Sequence, residues 1–168
     1  MVLPNGQILL TFAIPCYNSA EYMDKCIDSL LEAGDDTEII LIDDGSTDRT
    51  PEIADSYVAK YPGKIRVIHQ ENGGHGEGVN QGLRHASGLF YKVVDSDDRL
   101  DKEALQKLLA RMREHTAANE TVDMYVCNYV YDHWYGSERK VMRYNNVFPE
   151  EKMITWDDTH RFLVTQYL

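Results

Sequence analysis

Three carboxylates follow closely on a short apolar segment of this sequence. The segment Phe90–Val94 is rich in strand-forming residues, and Asp95, Asp97 and Asp98 come directly after it. A buried strand that ends in acids places oxygen ligands at the carboxyl edge of a sheet, where open α/β sheets bind their ligands. Acids this close repel one another unless a cation lies between them, and Mg²⁺ and Mn²⁺ prefer such ligands. The stretch predicts a metal site at Asp97 and Asp95, and a polar turn that caps the next helix is the alternative.

Two other predicted strands also end in polar loops. The first ends at Pro15 and is followed by Cys16-Tyr17-Asn18, and the second ends at Asp43-Asp44-Gly45-Ser46. Because the carboxyl ends of parallel strands meet at one edge, we expect these loops to converge. Their content suits a nucleoside diphosphate, since the ring of Tyr17 can lie against a base and the carboxylate of Asp44 can accept a base N–H.

A glycine-rich segment, Asn-Gly-Gly-His-Gly-Glu-Gly at positions 72–78, follows the third predicted strand. Glycines allow the backbone to approach a ligand closely. Each of these features has an ordinary alternative: the acidic segment at 43–46 can be a simple turn, Tyr17 can pack, and His75 can be a surface residue. Their placement at successive strand ends favours a binding site over the ordinary alternatives.

Alternating strands and helices must position these loops. Such alternation predicts βαβ units, and hence an α/β fold with a mostly parallel central sheet flanked by helices. Asn18 and Glu21 resemble a capping box for the first helix. We predict strands at residues 8–14, 38–42, 65–69, 89–94 and 123–131, and helices that begin after Asn18, at Thr50, near Gly78, at Asp101 and at His160.

The composition limits the class of partner. The chain has 168 residues, 43% of them hydrophobic, which is enough for a domain with a core. A net charge of −11 argues against a nucleic-acid partner. The three cysteines show no zinc spacing and no complete disulfide set, so a reduced, cytoplasmic compartment is the default. Neither a transmembrane segment, which needs ~20 apolar residues, nor a signal peptide is visible.

Together, the order and spacing of these motifs resemble family 2 inverting glycosyltransferases, whose nucleotide-sugar-binding part has the Rossmann-like GT-A fold. The resemblance covers residues 8 to about 115, and the segment Val94–Asp98 is similar to the DxD element of that family. It implies transfer of a sugar from a nucleoside-diphosphate donor, UDP by default, to an acceptor hydroxyl with inversion, in polysaccharide or cell-surface glycan synthesis. The matching segments are Ile14–Asn18, Ile42–Asp48, Asn72–Gly74 with Asn80–Gly82, and Val94–Asp98.

The resemblance also implies roles for individual residues. Asp97 would be the direct ligand of Mn²⁺ or Mg²⁺, and Asp95 would lie near both the metal and the ribose. The acceptor would be a glycan or a lipid-linked sugar, which many relatives use at the inner face of the membrane. The residues expected to bind the nucleotide-sugar are Pro15, Tyr17, Asn18, Asp43, Asp44, Gly74, His75, Asp95 and Ser96.

The sequence departs from the family pattern in two places. Val79 stands where many relatives carry an arginine, and His75 can partly substitute for that cation near a diphosphate. The general base belongs to the acceptor half, where Asp157 and Asp158 are weak candidates that fit a helix cap equally well. We expect residues 1–131 to form the nucleotide-sugar-binding domain. Residues 132–168 would begin an acceptor-side region that is cut short, with the base lying beyond it.

Other functions remain open from the sequence. The chain could bind a nucleotide-sugar without turning it over, because a base is not evident. A sugar nucleotidyltransferase is a weaker alternative, since it would need a glycine-rich, basic loop where Pro15–Asn18 stands. A phospho-receiver domain would need a further Asp after the third strand and a Lys after the fifth, and the sequence supplies neither.

Overall fold

The computed structural model describes residues 6–134, 138–145 and 148–159. The chain divides into two compact units, Met1–Thr121 and Val122–Leu168. Strands and helices alternate through the first unit. Its strands are β1 (Leu10–Cys16), β2 (Thr37–Asp44), β3 (Ile65–Gln70) and β4 (Phe90–Val93), and its helices are α1 (Met23–Leu31), α2 (Thr50–Lys60), α3 (His75–His85) and α4 (Lys102–Ala117).

The four strands form one parallel sheet in the order β3-β2-β1-β4. Strand β1 pairs with both β2 and β4, and the register places Cys16 beside Asp43 and Asp44 beside Gln70. This confirms the predicted α/β fold with a parallel central sheet. The chain runs away from β1 on one side and returns to its other side, and ligands bind at the carboxyl ends of the strands at such a switch point.

Side chains that alternate along the strands give the sheet two buried faces. On one face Phe12, Ile14, Ile39 and Leu41 are almost completely buried. Burying each such side chain stabilises the fold by about 1.5–3 kcal/mol. Right-handed crossovers through α1 and α2 cover one face of the sheet, and the return through α3 covers the other.

Helix α3 lies close against its face of the sheet because two of its inward residues are glycines. A Cβ on Gly82 would lie 2.6 Å from the Cβ of Ala13 and 3.3 Å from the Cδ1 of Ile42. One turn earlier, a Cβ on Gly78 would lie 3.1 Å from the Cβ of Pro15. Glycine inside a helix costs about 0.5–1 kcal/mol relative to alanine. The close packing offsets this cost and brings the start of α3 to the ends of β1 and β2.

The first helix begins later than the sequence predicts, at Met23. Asn18 adopts a left-handed backbone conformation with φ 50°. Its side-chain Oδ1 accepts the backbone N–H of Thr47 at 2.8 Å and that of Asp48 at 3.3 Å. The predicted capping box is therefore wrong, because Asn18 caps a neighbouring loop and not its own helix.

Buried carboxylates at the amino-terminal edge of the sheet have arginine partners. Glu38 pairs with Arg66 at 2.9 Å, and Asp36 accepts two hydrogen bonds of 2.7 Å from Arg113. The hydrogen bond from Arg113 holds the pKa of Asp36 below its usual range, although burial alone would raise it. These pairs fasten β3 to β2, and α4 to the turn before β2.

The second unit contains an antiparallel hairpin, β5 (Tyr129–Trp134) with β6 (Glu138–Met142), and a short 3-10 helix at Trp156–Thr159. The predicted strand at 123–131 is wrong in its start and its partner, because β5 pairs with the next strand along the chain in a separate two-stranded sheet. The helix predicted at 160–168 lies outside the described residues. Within the described ranges, no helix has both the length and the apolar character needed to cross a bilayer.

Candidate functional site

A cavity of about 260 Å³ opens where β1 and β2 end beside the start of α3. Its walls come from the ends of both strands and from the glycine-rich segment. The structure thus brings together Pro15, Tyr17, Asp44, Gly74 and His75, all of which the sequence predicts as nucleotide-sugar ligands. The lining residues are Pro15, Cys16, Tyr17, Asp44, Asn72, Gly74, His75 and Gly78.

The carboxylate of Asp44 is held by the glycine-rich segment. Its Oδ1 accepts the Gln70 amide at 2.7 Å and the Gly73 N–H at 2.8 Å, and its Oδ2 accepts the Gly74 N–H at 2.8 Å. Burial would raise the pKa of Asp44, but these hydrogen bonds hold the pKa below its usual range. Asp44 is therefore a fixed, ionised acceptor in the wall of the cavity.

Glycines let the loops of β2 and β3 approach each other. Gly45 has φ 69°, and a Cβ there would lie 2.8 Å from the backbone nitrogen of Asn72. Gly74 has φ 83° and immediately precedes α3. The left-handed turn at Gly74 lets α3 begin at His75, three residues before the predicted start at Gly78.

The acidic loop, residues 95–98, follows β4. A side-chain contact between Asp95 and His75 joins it to the rim of the cavity. The Nε2 of His75 lies 3.0 Å from the Oδ1 of Asp95, and both side chains are largely exposed. Within the loop, the backbone N–H of Asp98 donates to the carbonyl of Asp95 at 2.9 Å. This turn keeps the predicted metal ligands Asp95 and Asp97 at the carboxyl edge of the sheet.

Like charges dominate the acidic loop. Burial first, and then the nearby Asp97 and Asp95 carboxylates, raise the pKa of Asp98. Asp97 is exposed, and its carboxylate makes no hydrogen bond with any residue that the structure describes. The described ranges contain no group of three or more His, Cys, Asp or Glu side chains arranged around a metal position. Two carboxylates are nevertheless enough for Mg²⁺ or Mn²⁺ when substrate phosphates complete the shell.

The thiol of Cys26, which was not among the predicted site residues, contacts the backbone of the acidic loop. The Sγ of Cys26 donates to the backbone carbonyl of Asp95 at 3.5 Å. Burial, followed by the charges of Asp98, Asp97 and Asp95, raises the pKa of Cys26 to about 12. Cys26 is therefore a neutral donor, not a nucleophile, at neutral pH.

Ser19, which the sequence prediction missed, ties three loops together. Its Oγ lies 2.8 Å from the Oγ of Ser96 and accepts the N–H of Tyr17 at 3.2 Å, while its own N–H donates to the Oγ1 of Thr50 at 2.7 Å. Ser96 was predicted to bind nucleotide-sugar, and its hydroxyl contacts the hydroxyl of Ser19. A serine at position 19 gives no signal in the sequence, because its partners lie up to 77 residues away.

Four other predicted residues lie outside the cavity lining. Asn18 holds the loop at 47–48, and Asp43 lies on the face of the sheet opposite Asp44. The Oδ2 of Asp43 contacts the Nδ1 of His69 at 2.8 Å. Asp157 and Asp158 belong to the second unit, where Oδ2 of Asp158 accepts two hydrogen bonds from a single threonine, Thr155.

The sequence prediction also missed Gln70, which could have been identified from its position at the end of a strand. The predicted third strand stopped at His69, whereas β3 continues through Gln70. One more residue of strand places Gln70 directly beside Asp44 in the register. A polar residue at the end of a strand next to a motif carboxylate is therefore the pattern that identifies it.

Comparisons with known proteins agree on the type of protein. The model of the family "Glycosyl transferase family 2" matches residues 11–167. The uncharacterized glycosyltransferase EpsJ of Bacillus subtilis is 44% identical over 101 residues, 60% of this chain and 29% of that protein. The glycosyltransferase GlyG of Streptococcus pneumoniae is 35% identical over 123 residues, 72% of this chain and 39% of that protein. The chain thus spans well under half of each of these relatives.

A solved structure with the same architecture is TarS of Staphylococcus aureus, residues 1–349, in complex with UDP. The TM-score is 0.57 at 34% sequence identity, over 65% of this chain and 33% of the other. The same TarS fragment is also known with UDP-GlcNAc. The parallel sheet and its flanking helices therefore form the GT-A fold. The family model covers nearly all of the sequence, and the chain belongs to glycosyl transferase family 2.

Proposed function

We propose that this chain is the donor-binding part of a glycosyltransferase that takes a sugar from a UDP-sugar and transfers it to an acceptor hydroxyl with inversion. The observation that carries the proposal is the contact of His75 with Asp95, which joins the cavity around Asp44 to the acidic loop. A base site and a diphosphate site are thereby adjacent. The complexes of TarS with UDP and with UDP-GlcNAc support this choice of donor.

The base would enter the cavity between the end of β1 and Asp44. The ring of Tyr17, which is 54% exposed, is free to lie against a base, and Pro15 supplies an apolar wall. Asp44 would accept a hydrogen bond from a ring N–H of the base. These residues orient the nucleotide so that its phosphates point toward α3 and the acidic loop.

The start of α3 would face the diphosphate. Backbone N–H groups at a helix start favour anions, and Gly74 lets the ligand approach them closely. Val79 stands at the position where many relatives carry arginine and has no cationic side chain; its backbone carbonyl accepts a hydrogen bond from the Tyr91 hydroxyl at 2.8 Å. Among the described residues that line the cavity, His75 carries the only basic side chain. It would take part of the role of the missing arginine.

A divalent cation, Mn²⁺ or Mg²⁺, fits the acidic loop. Asp97 and Asp95 would hold it, and the crowding of Asp95, Asp97 and Asp98, which together with burial raises the pKa of Asp98, supports a cation at this loop. When bound, the metal would neutralise the phosphate charge that develops as the nucleoside diphosphate leaves. Asp95 would also lie near the ribose, where His75 fixes its carboxylate.

The reaction also requires a general base and an acceptor. Asp157 is a better candidate for the general base than Asp158, because the carboxylate of Asp158 is occupied by Thr155. The acceptor would be a glycan or a lipid-linked sugar in polysaccharide synthesis, handled in the cytoplasm at the inner face of the membrane. A chain that binds donor without transferring it is the second candidate, since no carboxylate that lines the cavity is free to act as a base.

Calorimetric titration of UDP into the chain, first with Mn²⁺ and then with EDTA, tests the donor site. We expect binding that strengthens with Mn²⁺ by about tenfold or more. Hydrolysis of UDP-GlcNAc, measured as released UDP, then separates the two candidates, because turnover requires catalytic groups besides the donor site. Absence of UDP binding under both conditions would refute the donor-site proposal.

A further inference from the structure

The hydrogen bonds of Asp44 leave it very little acceptor capacity. An ionised carboxylate has two oxygens, each with about two acceptor directions. Oδ1 already accepts two donors, from Gln70 and Gly73, and Oδ2 accepts one, from Gly74. A single direction, on Oδ2, is therefore left for a ligand in the cavity.

Gln70 makes this hydrogen bond at a cost to itself. Its amide Nε2 donates to Asp44, while its carbonyl Oε1 is buried and has no hydrogen-bond partner among the described residues. A buried carbonyl without a partner is destabilising. An apolar residue of similar size would avoid that cost, but it would also remove a hydrogen bond from the buried carboxylate of Asp44. The side chain of Gln70 is therefore placed to act on Asp44.

The four bases differ in what they offer a carboxylate. The pairing edge of uracil has one ring N–H, at N3, between two carbonyl oxygens. Guanine offers two adjacent donors, N1–H and the N2 amino group, which match both oxygens of one carboxylate as a bidentate pair. Cytosine and adenine offer an amino group next to an unprotonated ring nitrogen, which a carboxylate repels.

We propose that Gln70 determines the base specificity of this site: by occupying Oδ1 of Asp44, it leaves one acceptor, which suits uracil and excludes bidentate pairing with guanine. The proposal rests on the donor site described above and names the residue that selects its base. The Gly73 N–H shares Oδ1, but it belongs to the backbone. Gln70 is thus the only side chain among the described residues that limits Asp44 in this way.

Substitution Gln70→Met tests the proposal, because it keeps the length of the side chain and removes the donor. Dissociation constants for UDP and GDP are measured by calorimetry at one Mn²⁺ concentration, with the thermal unfolding midpoint as a second readout. We expect the unsubstituted chain to prefer UDP by about tenfold or more, since guanine would leave one donor unpaired. In Gln70→Met, the affinity for GDP should rise relative to that for UDP by about three- to tenfold. The unfolding midpoint reports whether the variant still folds.

Gln106→Met is the matched control. The amide of Gln106 donates to the backbone carbonyl of Glu32, away from the cavity, so its loss should leave the UDP to GDP ratio unchanged. Gln70→Leu serves as a second variant in case Gln70→Met does not fold.

The outcomes separate this proposal from the function on which it rests. If UDP binds but GDP binds equally well, or if the ratio is the same in the Gln70 variants, Gln70 does not select the base and the donor site stands. If neither nucleotide binds the unsubstituted chain, the donor site itself is refuted, and the specificity proposal with it. If the preference for UDP over GDP, measured from their dissociation constants, falls in the Gln70 variants and not in Gln106→Met, the proposal is supported.

Discussion

The carboxylates at the two edges of the parallel sheet differ in their partners. At the amino-terminal edge, Asp36 and Glu38 are buried and paired with arginines. At the carboxyl edge, Asp44 accepts hydrogen bonds from uncharged N–H donors, and Asp97 has no described partner. The first arrangement holds the fold together. The second leaves negative charge at the edge where we propose that the nucleotide and the cation bind.

Arg113→Met should have the largest effect, because it leaves Asp36 buried without its cation. The Asp36 side chain is 2% exposed, and removing one member of a buried pair costs about 3–5 kcal/mol of unfolding free energy. Urea denaturation measures this loss. Arg111→Met, on the same helix in an exposed pair with Glu114, should change the unfolding free energy by less than ~0.5 kcal/mol. Equal losses of unfolding free energy in both variants would show that the buried pair of Arg113 with Asp36 stabilises the fold no more than an exposed pair does.

Asp44→Asn should have an intermediate effect on stability and a specific effect on binding. An amide nitrogen would face one of the N–H donors, which costs about 1–3 kcal/mol of unfolding free energy. The affinity for UDP should fall about tenfold both with Mn²⁺ and with EDTA, because the base contact does not involve the metal.

Asp48→Asn is the control for Asp44→Asn. Asp48 also accepts backbone N–H groups, from Thr50 at 2.9 Å and Ala20 at 3.1 Å, but it does not line the cavity. We expect a similar loss of stability with unchanged affinity for UDP. A loss of UDP affinity only in buffer that contains Mn²⁺ would contradict the role of Asp44 as a base ligand.

Substitution His69→Gln should have the smallest effect on the unfolding free energy, and that effect should depend on pH. The hydrogen bond with Asp43 raises the pKa of His69 above the ordinary value near 6.5, against the opposing effect of burial. A raised folded-state pKa stabilises the fold fully below that ordinary value, and this stability is lost as the pH rises through the raised pKa. The unfolding free energy should therefore decline above about pH 6.5 in the unsubstituted chain and less so in His69→Gln. Parallel curves for the two proteins would show that the pair contributes nothing.

Much of the first unit could be predicted from the sequence, because strands and helices alternate and each strand is rich in apolar or strand-forming residues and is followed by a polar or glycine-rich loop. Tyr17, Asp44 and Gly74 were predicted from their loops at strand ends, and the family resemblance implied roles for Pro15 and His75. These residues converge because the strands are parallel and because glycines let α3 approach the sheet.

The errors come from interactions that depend on register or distant partners. Gln70 was missed because its role requires knowing which residue of β2 lies beside it. The loop contacts of Asn18 and Ser96 could not be predicted, because their partners are distant in the chain, and their roles as nucleotide-sugar ligands stay predictions. The strand predicted at 123–131 failed because alternation does not reveal whether a strand joins an existing sheet or pairs with the next strand.

Substitution Asp97→Asn tests whether the acidic loop at the carboxyl edge binds a cation. The measurement is the affinity for UDP by calorimetry, with Mn²⁺ and with EDTA, in the unsubstituted chain, in Asp97→Asn and in Asp35→Asn, an exposed acid at the opposite edge. We predict that Asp97→Asn loses the gain in affinity from Mn²⁺, about tenfold or more, while binding with EDTA and the unfolding midpoint are retained. If Mn²⁺ strengthens UDP binding in Asp97→Asn as much as in the unsubstituted chain, Asp97 does not hold the cation.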